Sequence, residues 1–226
     1  FKINKKINMR SHVTLLCRGT SLKNINKVQL VSHCVLVNSF HLELNIPDIH
    51  SYVSNCSTVT HVMSLGAYWP NYGADEIYSR YNFDKIVLPY VEEVKPHGTI
   101  NVGLPVECLS DKNKNDMIST NRYKYTSPSA GMDALLYCVN DLAVDVVNIV
   151  GMDFYDNIGY FTNSYGRVEG ENNTESVIKR MEGSDHDMIH MKDFFYKFTE
   201  RHKEVQFNLW THADIQESDN VMIKGL

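Results

Sequence analysis

A histidine between two aspartates, in Ser184-Asp185-His186-Asp187-Met188-Ile189-His190, is the part of this sequence best suited to moving a proton. It lies where a polar stretch passes into a helical pattern. An imidazole there titrates near neutrality and can take a proton from a hydroxyl. His186 and His190 are four apart and share a helix face if the helix includes both. HxxxH can also be half of a zinc site, but no third ligand is evident, and Asp187 stands where HExxH has glutamate. The two carboxylates serve equally as helix caps.

Four other segments carry candidate chemistry. In Asp153-Phe154-Tyr155 with Tyr160, two phenols can donate hydrogen bonds to a departing phosphate, although tyrosine packing is the plainer reading in a chain with 13 tyrosines. Tyr155 also breaks any metal-binding DxD at Asp153. In Ser127-Pro128-Ser129-Ala130-Gly131, small residues let a ligand approach the backbone, and the following helix has free N–H groups. Ser129 is equally a plain N-cap. Cys17-Arg18-Gly19-Thr20-Ser21-Leu22 offers one glycine and two hydroxyls to a phosphate, or an ordinary turn capped by Ser21. It lacks the GxGxxG of dinucleotide sites. Asn38, ending an apolar run, can read a sugar or base edge through donor and acceptor together, or simply begin a turn.

The elements that must position these groups alternate. Apolar runs at 13–17, 34–37, 59–65, 85–91, 99–104, 144–150 and 205–210 read as strands, the last of these as the final strand. Helical spacing marks 131–141, and 187–202 with Ile189, Phe194, Phe195 and Phe198 on or near one face. The nearly continuous Val and Ile of 144–150 suit a central parallel strand buried on both sides. The stretch 110–124 is polar and reads as exposed. Alternating strands and helices predict an α/β, Rossmann-like, mostly parallel sheet with helices on both faces. Ligands then bind at the carboxyl ends of strands, so Asp153 and Tyr155 face the same crevice as Ser129–Gly131. Residues 156–185, with few core residues, several Gly and Asn and mixed charge, read as a functional lid or as a disordered stretch, on a single domain spanning 1–226.

Composition narrows the class. At 226 residues and 43% apolar, the chain suits one globular domain. A net charge of −5 argues against non-specific nucleic-acid binding. Five scattered cysteines without a CxxC pair suit buried thiols in a reducing compartment, hence a cytoplasmic location with peripheral membrane association left open. No apolar run approaches the ~20 residues that span a bilayer, and no signal peptide is evident. The sequons at Asn55 and Asn172 are short enough to arise by chance.

Taken in order, segments 15–26, 35–40, 127–139, 147–157 and 184–195 resemble the sialyltransferases, above all the bacterial Campylobacter type, with an echo of the animal enzymes. The resemblance implies a GT-A-like variant of the Rossmann fold with a lid over 161–185, a CMP-activated sugar such as CMP-sialic acid, a glycan acceptor, no metal or other cofactor, and inversion by in-line displacement. It also implies roles. Gly19, Thr20 and Ser21 would line the donor phosphate and ribose, and Asn38 would contact the nucleotide. Ser129, Ala130 and Gly131 would hold cytidine or its phosphate, with Asp153 facing the same donor. Tyr155 and Tyr160 would steady the leaving phosphate, and His186 would be the general base. Arg18 departs from the pattern, since the bacterial enzymes usually have Asn there. It could bind a further anionic group of the donor. Two other classes compete. A pterin-type pyrophosphokinase would need Mg²⁺, ATP and an acidic pair that is missing here. A non-catalytic nucleotide-binding protein would keep the fold without transfer. Oligomeric state is left open.

Overall fold

The computed structural model describes residues 11–38, 40–64, 78–89, 104–117, 127–154, 156 and 188–224. Eight strands form one sheet: β1 (His12–Leu16), β2 (His33–Val37), β3 (Thr58–Val62), β4 (Phe83–Leu88), β5 (Val106–Cys108), β6 (Val146–Val150), β7 (Gln206–Trp210) and β8 (Val221–Ile223). Their order is β5-β4-β3-β2-β1-β6-β7-β8, and every neighbouring pair is parallel. The chain builds outward from β1 in one direction as far as β5. It then returns to β1's other side with β6 and builds the opposite way. Right-handed crossovers therefore put the connections of the two halves on opposite faces. The reversal between β1 and β6 opens a crevice at the strands' carboxyl ends.

The sequence dictates two-sided burial. All five residues of β6 are buried, as a central parallel strand requires. Along β1, Val13 and Leu15 enter one core and Leu16 the other. The first core packs against helices α2 (Ala130–Leu136) and α3 (Met188–Arg201). There Phe195 lies edge-on to both Phe154 and Phe207. The second core packs against a 3-10 helix over Thr20–Lys27 and against α1 (Pro47–Ser54), which proline opens at its first turn. A π-helical turn over Tyr137–Asp141, with Leu142 N donating to Tyr137 O, ends α2, and Ala143 takes a positive φ of 52° before β6 begins. Among the described residues no helix is long and apolar enough to cross a membrane.

The α/β, Rossmann-like reading holds, and all the described strands are parallel. Several details differ. β3 stops at Val62; Met63 N still donates to Val87 O, and Ser64 N turns to Asn38 Oδ1. The expected strand at 99–104 falls mostly outside the described residues; the chain pairs with β4 from Val106 onward. β7 is not the last strand. β8 follows, anchored by Asn220, whose Nδ2 donates to the carbonyls of Thr199, His202 and Val205. The polar stretch expected to be exposed from 110 contains Asn113, fully buried and bonded through Nδ2 to Ser110 O and Asp141 Oδ2. Ile189 is 68% exposed and does not join the core. The proposed lid, 161–185, lies outside the described residues.

Candidate functional site

The crevice begins where β1 and β6 end. Their backbones stay paired past the strands, with Cys17 N donating to Val150 O at 2.8 Å and Gly19 N to Gly151 O at 2.7 Å. Only glycine permits this approach. A Cβ on Gly19 would lie 2.5 Å from Asp153 Oδ2 and 2.6 Å from Gly151 O. Gly151 has φ +78°, and a Cβ there would meet Cys17 O at 2.2 Å.

Asp153 knits this edge together. Its Oδ2 accepts from Ser21 N at 2.8 Å and Thr20 Oγ1 at 3.3 Å. Its Oδ1 accepts from Thr211 Oγ1 at 2.9 Å and His212 N at 3.4 Å. One buried carboxylate thus joins the loops after β1, β6 and β7. It also supplies the acceptor at the start of the Thr20–Lys27 helix, where Gly19, the residue at the cap position, offers no side-chain hydrogen bond. Ser21 does not cap that helix. Its fully buried hydroxyl accepts from Gly151 N at 3.2 Å.

α2 opens over the same gap. The site of a Gly131 Cβ lies 3.4 Å from both Cys17 Sγ and Met152 Cε. Ser129 caps the helix, its Oγ accepting from Met132 N at 3.4 Å, and Ala130 is buried. Asp133 follows in the first turn, its Oδ1 2.7 Å from Ser127 Oγ. Burial pushes its carboxyl up to about 7, with the Ser127 hydroxyl opposing the rise. Burial, then the charge of Asp153, pushes the Cys17 thiol far up, so it is no nucleophile.

Arg18 and Asn38 form the other wall. Carrying the strand registers past their ends sets Asn38, Arg18, Met152 and His212 in one row. Arg18 is 6% exposed, and its Nε lies 3.0 Å from both carboxylate oxygens of Glu43, which is fully buried. The arginine thus binds an anionic group, but one belonging to the protein. Asn38 adopts φ 46°. Its N donates to Val62 O, and its Oδ1 accepts from Ser64 N at 2.8 Å.

The structure therefore gathers Arg18, Gly19, Thr20, Ser21, Ser129, Ala130, Gly131 and Asp153 around one gap, with Asn38 at the end of the adjoining strand β2. Within that set the polar atoms of Ser21 and Asp153 are engaged inside the protein. Tyr155, Tyr160 and His186 lie outside the described residues. His190 is exposed in the first turn of α3. Among the described residues no three His, Cys, Asp or Glu side chains cluster as metal ligands would. Sequence reasoning missed Glu43, Asp133, Thr211 and His61. Only His61 left a signal, as a polar ring inside an apolar strand run.

No family model and no curated protein matches the sequence. Solved structures do. Cst-I, a monofunctional α-2,3-sialyltransferase of Campylobacter jejuni, aligns over 93% of this chain and 82% of its own, with TM-score 0.54 and 11% identity. The sialyltransferase Cst-II, in complex with CMP and a trisaccharide acceptor, aligns over 92% and 87%, with TM-score 0.50 and 12% identity. The chain has the sialyltransferase fold. On that fold, four of the five sialyltransferase-like segments touch the crevice edge. Segment 15–26 crosses the end of β1, 35–40 the end of β2, 127–139 the opening of α2, and 147–157 the end of β6. The fifth, 184–195, leads into α3, which fills the first core behind β6.

Proposed function

We propose that this protein is a glycosyltransferase that moves an acidic sugar, sialic acid or a close relative, from a CMP-sugar to a glycan hydroxyl. The observation carrying this reading is the gap between β1 and β6, roofed by Ser129–Gly131 in a sialyltransferase fold. The loop after β1 and the opening of α2 flank the donor nucleotide, and Asn38 meets it from the end of the adjoining strand. Asp153 acts here as the organiser of that edge: with both oxygens held by neighbouring loops, it shapes the gap and leaves direct contact to Thr20, Ser129 and Asn38. Tyr155 and Tyr160 hydrogen-bond the departing phosphate. His186 takes the proton of the acceptor hydroxyl, and attack in line with the leaving CMP inverts the anomeric centre. Phenols and helix N–H groups suffice for a monophosphate leaving group, so the transfer needs no metal.

The test is a thermal-shift screen of nucleotides and CMP-sugars with and without EDTA. CMP compounds are expected to raise the melting temperature, unchanged by EDTA. A preference for Mg-ATP would replace this reading with a phosphoryl-transfer one. His186→Ala is expected to abolish transfer and keep CMP binding; transfer that survives removes His186 as the base. The engagement of Arg18 by Glu43 favours a second reading, a nucleotide-binding protein without transfer. Binding of CMP with neither hydrolysis nor transfer of any CMP-sugar would select it.

A further inference from the structure

Asn38 is held from three sides in a backbone conformation that L residues resist. Its φ of 46° lies in the left-handed region. Its N donates to Val62 O at 2.9 Å, and its Oδ1 accepts from Ser64 N. The third hold comes from beneath, where Nε2 of His61 meets the carbonyl oxygen of Asn38 at 2.5 Å. A carbonyl only accepts, so the ring hydrogen sits on Nε2. Nδ1 is then the acceptor and takes the hydroxyl of Tyr78 at 2.9 Å. Tyr78 is buried and wedged edge-on against Phe83, with ring centroids 4.7 Å apart. His61 itself is almost fully buried, so solvent does not compete for either nitrogen.

We infer that His61, its tautomer set by the Asn38 carbonyl and its ring held by Tyr78, is a positioning residue that sets Asn38 for ligand recognition. The inference rests on the reading of the crevice as a nucleotide site. It also specifies what Asn38 can recognise. Because Ser64 N–H occupies Oδ1, the amide is oriented and Nδ2 makes no hydrogen bond to any described residue. Asn38 therefore presents donors only, and its partner on the ligand is an acceptor oxygen of the ribose or phosphate. Sequence reading allowed it both roles; the tertiary contacts remove one. Tyr78 and His61 are buried, so in this reading they reach a ligand only through that amide, and His61 acts through another residue and is not catalytic.

Two near-isosteric substitutions separate the two ring nitrogens. His61→Gln places an amide donor near the position of Nε2 and keeps the bond to Asn38. His61→Asn reaches only to Nδ1, keeps a partner for Tyr78 and loses the bond to Asn38. Both lose the same ring packing, so a merely structural role moves them together. CMP affinity, by calorimetry, is expected to fall about tenfold in His61→Asn and to stay within about threefold of wild type in His61→Gln. In ¹⁵N spectra, the backbone amides of Asn38 and Ser64 and the Asn38 side-chain NH₂ should shift in His61→Asn and hold in His61→Gln. Equal affinities for the two variants, with equal amide shifts, would overturn the inference. Should His61→Asn fail to fold, Tyr78→Phe serves instead. It removes the second hold on the imidazole ring, and a loss of about threefold in affinity with a shifted Asn38 amide is expected; no change in either overturns the inference. Absence of CMP binding in the wild-type protein would sink the functional reading alone, since the amide spectra still decide whether His61 holds Asn38.

Discussion

The carboxylate of Asp153 holds the backbone N–H of Ser21 at 2.8 Å across 132 residues of chain. That bond makes the loop after β1 and the loop after β6 one object. Asp153→Ala removes the acceptor for Ser21 N, Thr20 Oγ1 and Thr211 Oγ1 together. A loss of about 2–4 kcal/mol in urea unfolding is expected, since buried donors are left unpaired. CMP binding should fall with it. Asp153→Asn should lie between, because one amide oxygen still accepts while the NH₂ faces donors.

The three described glycines of the site should rank in order. Gly151→Ala meets a backbone oxygen at 2.2 Å at a positive φ, and is expected to cost about 4 kcal/mol or more. Gly19→Ala meets Asp153 and Gly151 O at about 2.5 Å and should cost about 2–3 kcal/mol. Gly131→Ala meets only Cys17 Sγ and Met152 Cε, at 3.4 Å. Its helix propensity gain of about 1 kcal/mol offsets the crowding, leaving it near neutral. Melting temperatures of the three variants check the ranking.

Arg18 and Glu43 should be strongly coupled. Removing one partner leaves the other's charge buried, so Arg18→Met and Glu43→Leu are each expected to cost about 3–5 kcal/mol. The double variant should cost less than the sum of the two single changes. A double-mutant cycle by chemical denaturation measures it; additive losses would mean that the pair does not act as a unit.

Asp133 makes stability depend on pH. Its folded carboxyl lies at about 7 against 3.8 when free. Between those values the folded state holds a proton that the unfolded state has lost. Stability from this group therefore declines as pH rises from about 4 to about 7 and levels off above. The decline is at most about 4 kcal/mol. Asp133→Asn keeps the shape, removes the titration, and should raise the melting temperature at pH 8 while changing little near pH 4.5.

The order of segments along the chain was enough to specify an α/β sheet, because alternating apolar runs and helical spacings carry their own periodicity. The buried Val and Ile run of β6, the phenylalanines of α3 and the small residues at Ser129–Gly131 could be read for the same reason: burial and close approach select residue type directly. What the sequence left open was which polar groups face the ligand and which face the protein. Asp153 and Ser21 look like ligand contacts in isolation, yet their atoms are engaged by loops far off in the chain. Arg18 looked like an anion site and found Glu43. His61 and Asp133 gave little sign of their place. A hydrogen bond between residues distant in sequence leaves no local pattern, so only the packed sheet, by bringing the ends of β1, β2, β6 and β7 side by side, decided how these polar groups are used.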